Sequence, residues 1–135
     1  MSLLIWNEKY TVGVTEFDDQ HKKLIVLINS LHDAMKGGHG KEVLKDILNE
    51  LDEYTIYHFD NEERYFAKFN YPSRIEHVKE HVALKKTVSD LKKKSDEGKM
   101  IFTIELMNFL KKWLLDHIQG TDQKYGPYLN AKGLH

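Results

Sequence analysis

Four stretches of this chain carry apolar side chains at alternating spacings of three and four, and glycine or proline interrupts the chain between them. That rhythm belongs to the α-helix, in which residues three and four apart share one face. The first stretch runs from about Asp19 to Lys36, with Asp18 or Asp19 as N-cap and a stripe of Leu24, Leu27, Ile28, Leu31 and Met35. The second, about Lys41 to Lys68, carries Leu44, Ile47, Leu48, Leu51, Tyr54 and Tyr65. Tyr71-Pro72-Ser73 opens the third, with Ser73 as N-cap and Leu84, Val88 and Leu91 as stripe, ending near Gly98. The fourth, about Ile101 to Gln119, offers Phe102, Leu106, Phe109, Leu110 and Trp113, and Gly120 is read as its stop.

Short loops between such helices make neighbours antiparallel, so the expected fold is all-α, an up-down-up-down four-helix bundle over about 19–119. Residues 1–18 read as an extended arm able to pack Trp6 and Phe17 on the bundle, and 120–135 as a short C-terminal helical turn. At 135 residues the chain is expected to be one domain with a core needing no staples. The Gly-rich loop around His39 separates the first two helices.

Charge and cysteine usage remove several classes of function. With 20 basic against 21 acidic side chains, the net charge of −1 leaves no footprint for nucleic acid or an anionic membrane. The clusters Lys85-Lys86 and Lys92-Lys93-Lys94 read as solvated helix faces. Absence of cysteine excludes disulfides, thiolate chemistry, iron–sulfur clusters and cysteine-ligated zinc. No signal-peptide pattern opens the chain and no apolar run can span a bilayer, so a cytoplasmic protein is expected. No long exposed apolar stripe is evident, which favours a monomer.

Seven metal-ligand-type side chains sit on the apolar stripes or beside them: His21, His58, Glu62, His77, His81, His117 and Asp122. His21 lies one turn before Leu24, His58 and Glu62 are four apart, and His77 and His81 repeat that spacing ahead of Leu84. His117 follows Trp113 by one turn. Their heights agree as well, since they fall at the start, end, start and end of successive helices, which is one end of an antiparallel bundle. Any one inward-facing histidine is more often a satisfied core residue; the coincidence of face and height across the set points to metal. His32, about 16 Å beyond His21 along the helix axis, fails the height condition, and His39 and His135 lie in a loop and at the terminus. Asp122 is expected to reach the site because Gly120 lets the chain turn back across the bundle mouth, the competing reading being a plain helix cap.

Imidazole and carboxylate without thiolate suit iron, manganese, zinc or copper. Seven donors exceed the four that tetrahedral zinc takes and suit two octahedral-preferring ions sharing bridges. If Glu62, Asp122 and a solvent oxo or hydroxo group bridge, five histidines divide three and two, leaving one ion an open position. Two carboxylates give less negative charge than the four used by oxygen-activating di-iron bundles, so a reaction with dioxygen should stop early and reverse. Leu24, Ile25, Ile28, Phe59, Trp113, Leu114 and Ile118 are candidates for a dry pocket at the open position, core packing being their plainer role.

Asp19-Gln20-His21-Lys22-Lys23-Leu24, His58-Phe59-Asp60-Asn61-Glu62-Glu63, Tyr71-Pro72 followed by His77 and His81, and His117 with Asp122 closely resemble the hemerythrin family, its single-domain bacterial members above all. The arm, with Trp6 and Val12-Gly13-Val14, is similar to those members too. The resemblance covers nearly the whole chain and fills every ligand position. It implies a non-haem di-iron centre in which His77, His81 and His117 hold the closed iron and His21 and His58 the open one, Glu62 and Asp122 bridging. It also implies reversible dioxygen binding, with Ile118 as a wall of the oxygen pocket. The function expected is oxygen transport, storage or delivery, without enzymatic turnover, with an oxygen-consuming enzyme as the candidate partner. The alternatives are an oxygen, redox or iron sensor acting through a partner, and a di-iron oxidase, peroxidase or nitric oxide scavenger.

Overall fold

The computed structural model describes residues 4–37, 41–97 and 104–135. Four long helices, α1 (Thr15–Lys36), α2 (Lys41–Lys68), α3 (Arg74–Asp96) and α4 (Ile104–Asp116), form an antiparallel bundle, and no strand occurs among the described residues. Helices α1 and α2, α2 and α3, and α1 and α4 pack side by side. The predicted stripes turn inward: Leu24, Leu27, Ile28 and Leu31 from α1 meet Leu48 and Leu51 from α2, while Leu84 and Val88 of α3 bury against Phe59. His39, Gly98, Phe102 and the side chains of Leu44 and Leu106 lie outside the described residues.

Helix α1 begins at Thr15, a full turn before the expected start, with Val14 at the N-cap and no side-chain cap. Asp18 is inside the helix rather than capping it. Its carboxylate accepts the Val12 N–H at 2.8 Å and the Thr11 hydroxyl at 2.5 Å, so it ties the arm down. In α4 the buried face is Met107, Leu110 and Leu114, whereas Phe109 is 49% exposed. Phe109 lies two residues from Met107, about 200° around the helix, which takes it to the outer side.

Gly120 does not stop the fourth helix. The chain passes from α4 into a π-helical turn, His117–Thr121, then a 3-10 turn, Asp122–Lys124, and a last helix α5, Tyr125–Ala131. Tyr125 and Leu129 of α5 are fully buried in the main core. The N-terminal arm, with one 3-10 turn at Glu8–Tyr10, lies against this segment. Gln123 donates to the Lys9 carbonyl at 2.5 Å and Asn130 to the Gly13 carbonyl at 2.9 Å. At the other end of the arm, Leu4 and the Asn29 amide exchange two hydrogen bonds of 2.8 Å. Two glycines permit this strap: Gly13 has φ +81°, and a Cβ on Gly126 would stand 2.1 Å from the Val12 carbonyl oxygen. No described helix is long and apolar enough to cross a membrane.

Candidate metal centre

All seven predicted donors are buried at one end of the bundle. His21 enters from the first turns of α1, His58 and Glu62 from the last turns of α2, His77 and His81 from the first turns of α3, and His117 from the residue after α4. The π-helical turn delivers Asp122. Its N–H bonds to the His117 carbonyl, five residues back, so the ring closed by that bond carries the aspartate round toward the imidazole. In a regular α-helix five residues span about 500°, which would leave Asp122 on a different face. The expected glycine turn is therefore replaced by a widened helical turn. A side chain at Gly120 would meet nothing within 4 Å, and that glycine has no positive φ.

The two carboxylates sit between the imidazoles. Asp122 Oδ1 is 2.9 Å from His77 Nε2 and 3.0 Å from His117 Nε2, while its Oδ2 is 3.0 Å from His21 Nε2. Glu62 Oε1 is 3.1 Å from His81 Nε2 and 3.4 Å from His58 Nε2. Two groups of donor atoms, each within 4.8 Å of one another, follow from these distances: Glu62, Asp122, His77, His81 and His117 form one, and Glu62, Asp122, His21 and His58 the other. Both carboxylates belong to both groups.

These contacts are close without being hydrogen bonds. All five Nε2 atoms, Glu62 Oε1 and both Asp122 oxygens are buried with no hydrogen-bond partner. An orphaned buried polar atom costs about 1–3 kcal/mol, so a convergence of them is unfavourable unless cations occupy it. Neutral imidazole nitrogens and carboxylate oxygens are the donors that iron, manganese or zinc take up. The residues present fit a pair of such ions.

Around the donors, a second set of side chains orients them. His58 Nδ1–H donates to Gln20 Oε1 at 2.5 Å and His81 Nδ1–H to Glu63 Oε2 at 3.3 Å, which turns each Nε2 lone pair inward. Tyr125 donates its hydroxyl to Glu62 Oε2. Phe59 stacks on His81 with centroids 3.9 Å apart, and Trp113 stacks on His117 at 5.1 Å. Sequence reading missed Tyr125, Gln20, Glu63 and Glu80 as parts of this shell. Their proximity to donors along the chain was the available signal: Gln20 and Glu63 are adjacent to donors, Glu80 precedes His81, and Tyr125 follows Asp122 by three.

Charge in the metal-free cluster is divided unevenly. Burial pushes the His58 imidazole down to about 3, outweighing the attraction of Glu62. Burial also disfavours charge on His117, but the Asp122 carboxylate beside it wins and raises it to about 9. Asp122 is held well below the usual carboxylate range because its imidazole neighbours, His117 foremost, overcome its burial. Burial and the Glu62 carboxylate push the Tyr125 phenol well above its ordinary value, so it donates its proton to Glu62 throughout the neutral range.

A cavity of about 20 Å³, room for a water-sized molecule, lies one side-chain layer from the cluster, behind Phe59 and Trp113. Leu24, Ile28, Phe59, Trp113 and Leu114 line it, so five of the expected pocket residues meet there, together with Thr55, Leu51 and others toward the bundle interior. Ile25 and Ile118 are buried in the main core and do not line this cavity. Among the remaining histidines, His32 lies beside Asp33 at 3.8 Å, away from the cluster, and His135 is exposed.

Residues 12–129 match the family model described as the hemerythrin HHE cation binding domain. A bacteriohemerythrin of Methylococcus capsulatus is 34% identical over 132 residues, covering 97% of this chain and 100% of that protein. A hemerythrin-like protein of Naegleria gruberi is 34% identical over 120 residues, 89% of this chain and 88% of its own. The crystal structure of wild-type hemerythrin superposes with a TM-score of 0.89 at 31% identity, over 93% of this chain and 97% of that one. With its helices, its buried histidine and carboxylate cluster and its sequence in agreement, the chain belongs to the hemerythrin HHE cation-binding family.

Proposed function

We propose that the seven-residue cluster holds two iron ions and that the loaded protein binds dioxygen reversibly, serving oxygen transport, storage or delivery rather than turnover of a substrate. The observation that carries this reading is the division of the donors into two groups that share Glu62 and Asp122 but own three and two imidazoles. His77, His81 and His117 would hold one ion and His21 and His58 the other, which is one protein donor short of its neighbour. When bound, the iron pair supplies two electrons for the reversible reduction of dioxygen.

The chain's own residues supply the conditions. Phe59 and Trp113 stack on His81 and His117, two imidazoles of the three-imidazole group, and wall the neighbouring cavity, so they keep water from that side of the centre. Leu24, Ile28 and Leu114 give that cavity a largely aliphatic lining, with Thr55 as its one hydroxyl. Tyr125 keeps one Glu62 oxygen engaged, which limits how the carboxylate can swing. The name bacteriohemerythrin borne by relatives at about a third identity agrees with oxygen binding.

The visible spectrum of anaerobic, ferrous-loaded protein tests the reading, recorded before oxygen, after oxygen and after its removal. An absorption band that rises with oxygen and vanishes on deoxygenation supports it. An irreversible ferric spectrum points instead to a redox sensor or an oxidase. Absence of any iron-dependent band defeats the metal site itself.

A further inference from the structure

The two donor groups are backed by side chains of different charge. On the three-imidazole side, His81 Nδ1 faces Glu63 Oε2 at 3.3 Å and His117 Nδ1 faces Glu80 Oε1 at 3.5 Å. Glu80 is about half exposed and accepts the Thr121 hydroxyl at 2.9 Å; it stands behind His117 as a nearby charge and makes no hydrogen bond to the ring. Lys85 sits 3.7 Å from Glu63 but also 3.1 Å from Asp60, so one ammonium serves two carboxylates and the pair remains net anionic. Among the described residues, no carboxylate backs a ring on the two-imidazole side. His58 Nδ1 meets the neutral amide of Gln20, and the buried His21 Nδ1 has no partner.

An imidazole whose Nδ1–H leans toward a carboxylate is a stronger donor through Nε2 than one leaning on an amide carbonyl. We infer that Glu63 and Glu80 make the three-imidazole position take the first metal ion and hold it tighter, and that Gln20 is the positioning residue that keeps the second position weak. This rests on the metal-binding reading above. A weakly held second ion gives the protein a half-loaded state, so metal supply sets how much of it can bind oxygen. Gln20 is buried, and replacing its amide by a carboxylate changes the charge behind His58 at almost constant size.

Stepwise Co²⁺ titration of the metal-free, full-length chain, followed by visible absorption against a competing chelator, reads both positions without iron or oxygen. The native chain should take two ions in separable steps. The Glu63→Gln, Glu80→Gln double variant should weaken the first step about 10- to 100-fold and leave the second nearly unchanged. Gln20→Glu should strengthen the second step about 10-fold and leave the first alone. General loosening of the fold would weaken both steps together, and far-UV circular dichroism of each variant reports it. Two steps that do not respond to these changes, respond equally, or have equal affinity in the native chain overturn the inference and leave the metal centre standing. No Co²⁺ uptake by the native chain overturns both.

Discussion

At the scale of single residues, the centre depends on groups that stand behind the donors. Tyr125 is the clearest. It is fully buried, packs edge-on against Phe17 at 5.4 Å, and donates to Glu62 Oε2. Replacing it with Phe keeps the ring and strands a buried carboxylate oxygen, a loss of about 1–3 kcal/mol. Urea unfolding of the metal-free Tyr125→Phe chain should show that loss with helix content unchanged; equal midpoints would mean that Glu62 finds another donor. The place of Tyr125 three residues after Asp122 is the only hint the sequence holds, since 63 positions separate it from its acceptor Glu62 and its chain neighbourhood reads as a tail.

Among the elements, the π-helical turn and the arm strap decide most. Inserting an alanine after Gln119 in His117–Thr121 should set the Asp122 carboxylate six residues beyond His117, about 600° of helix away, and turn it out of the centre. Metal content should then fall about tenfold or more, beyond the change typical of orienting side chains, while circular dichroism retains the helical signal. Full metal content after the insertion would show that a longer turn can still deliver Asp122. The strap is tested by Gly126→Ala. Alanine favours helix by up to about 1 kcal/mol, but its Cβ would collide with the Val12 carbonyl, and overpacking of this kind costs about 1–3 kcal/mol. A lower melting temperature and faster proteolysis between residues 5 and 14 are expected; a higher melting temperature would mean that the arm yields freely. The helices themselves were readable because each stripe repeats locally. The π turn was not, since Gly120 and its neighbours carry no mark that separates a widened turn from a stop.

Over the whole molecule, buried charge makes metal-free stability depend on pH in both directions. His58 titrates near 6.5 when unfolded and near 3 when folded, so its contribution is complete above 6.5 and is lost as pH falls toward 3. His117 runs the other way, from 6.5 to about 9, so its contribution is complete below 6.5 and is lost as pH rises through 9. Glu62 and Asp122, both lowered, add to the loss in acid. Melting temperatures of the metal-free chain should therefore peak near pH 6.5, and metal loading should flatten the alkaline side because bound ions displace the proton on His117. A monotonic profile without metal would contradict the opposite shifts of His58 and His117.

The amino-acid sequence by itself determined the four helices, the faces they bury and the end of the bundle at which seven donors gather. Those properties follow from periodicity and from position along each helix, which are local. Only the tertiary structure decided how Asp122 arrives, that Phe109 faces outward, that Ile25 and Ile118 stand off the cavity, and which side chain backs each imidazole. Gln20 meets His58 across 38 residues, and Glu80 and Thr121 meet across 41. Contacts of that range depend on the rotation and depth at which packed helices settle, and a sequence holds those only through the sum of its side-chain packing.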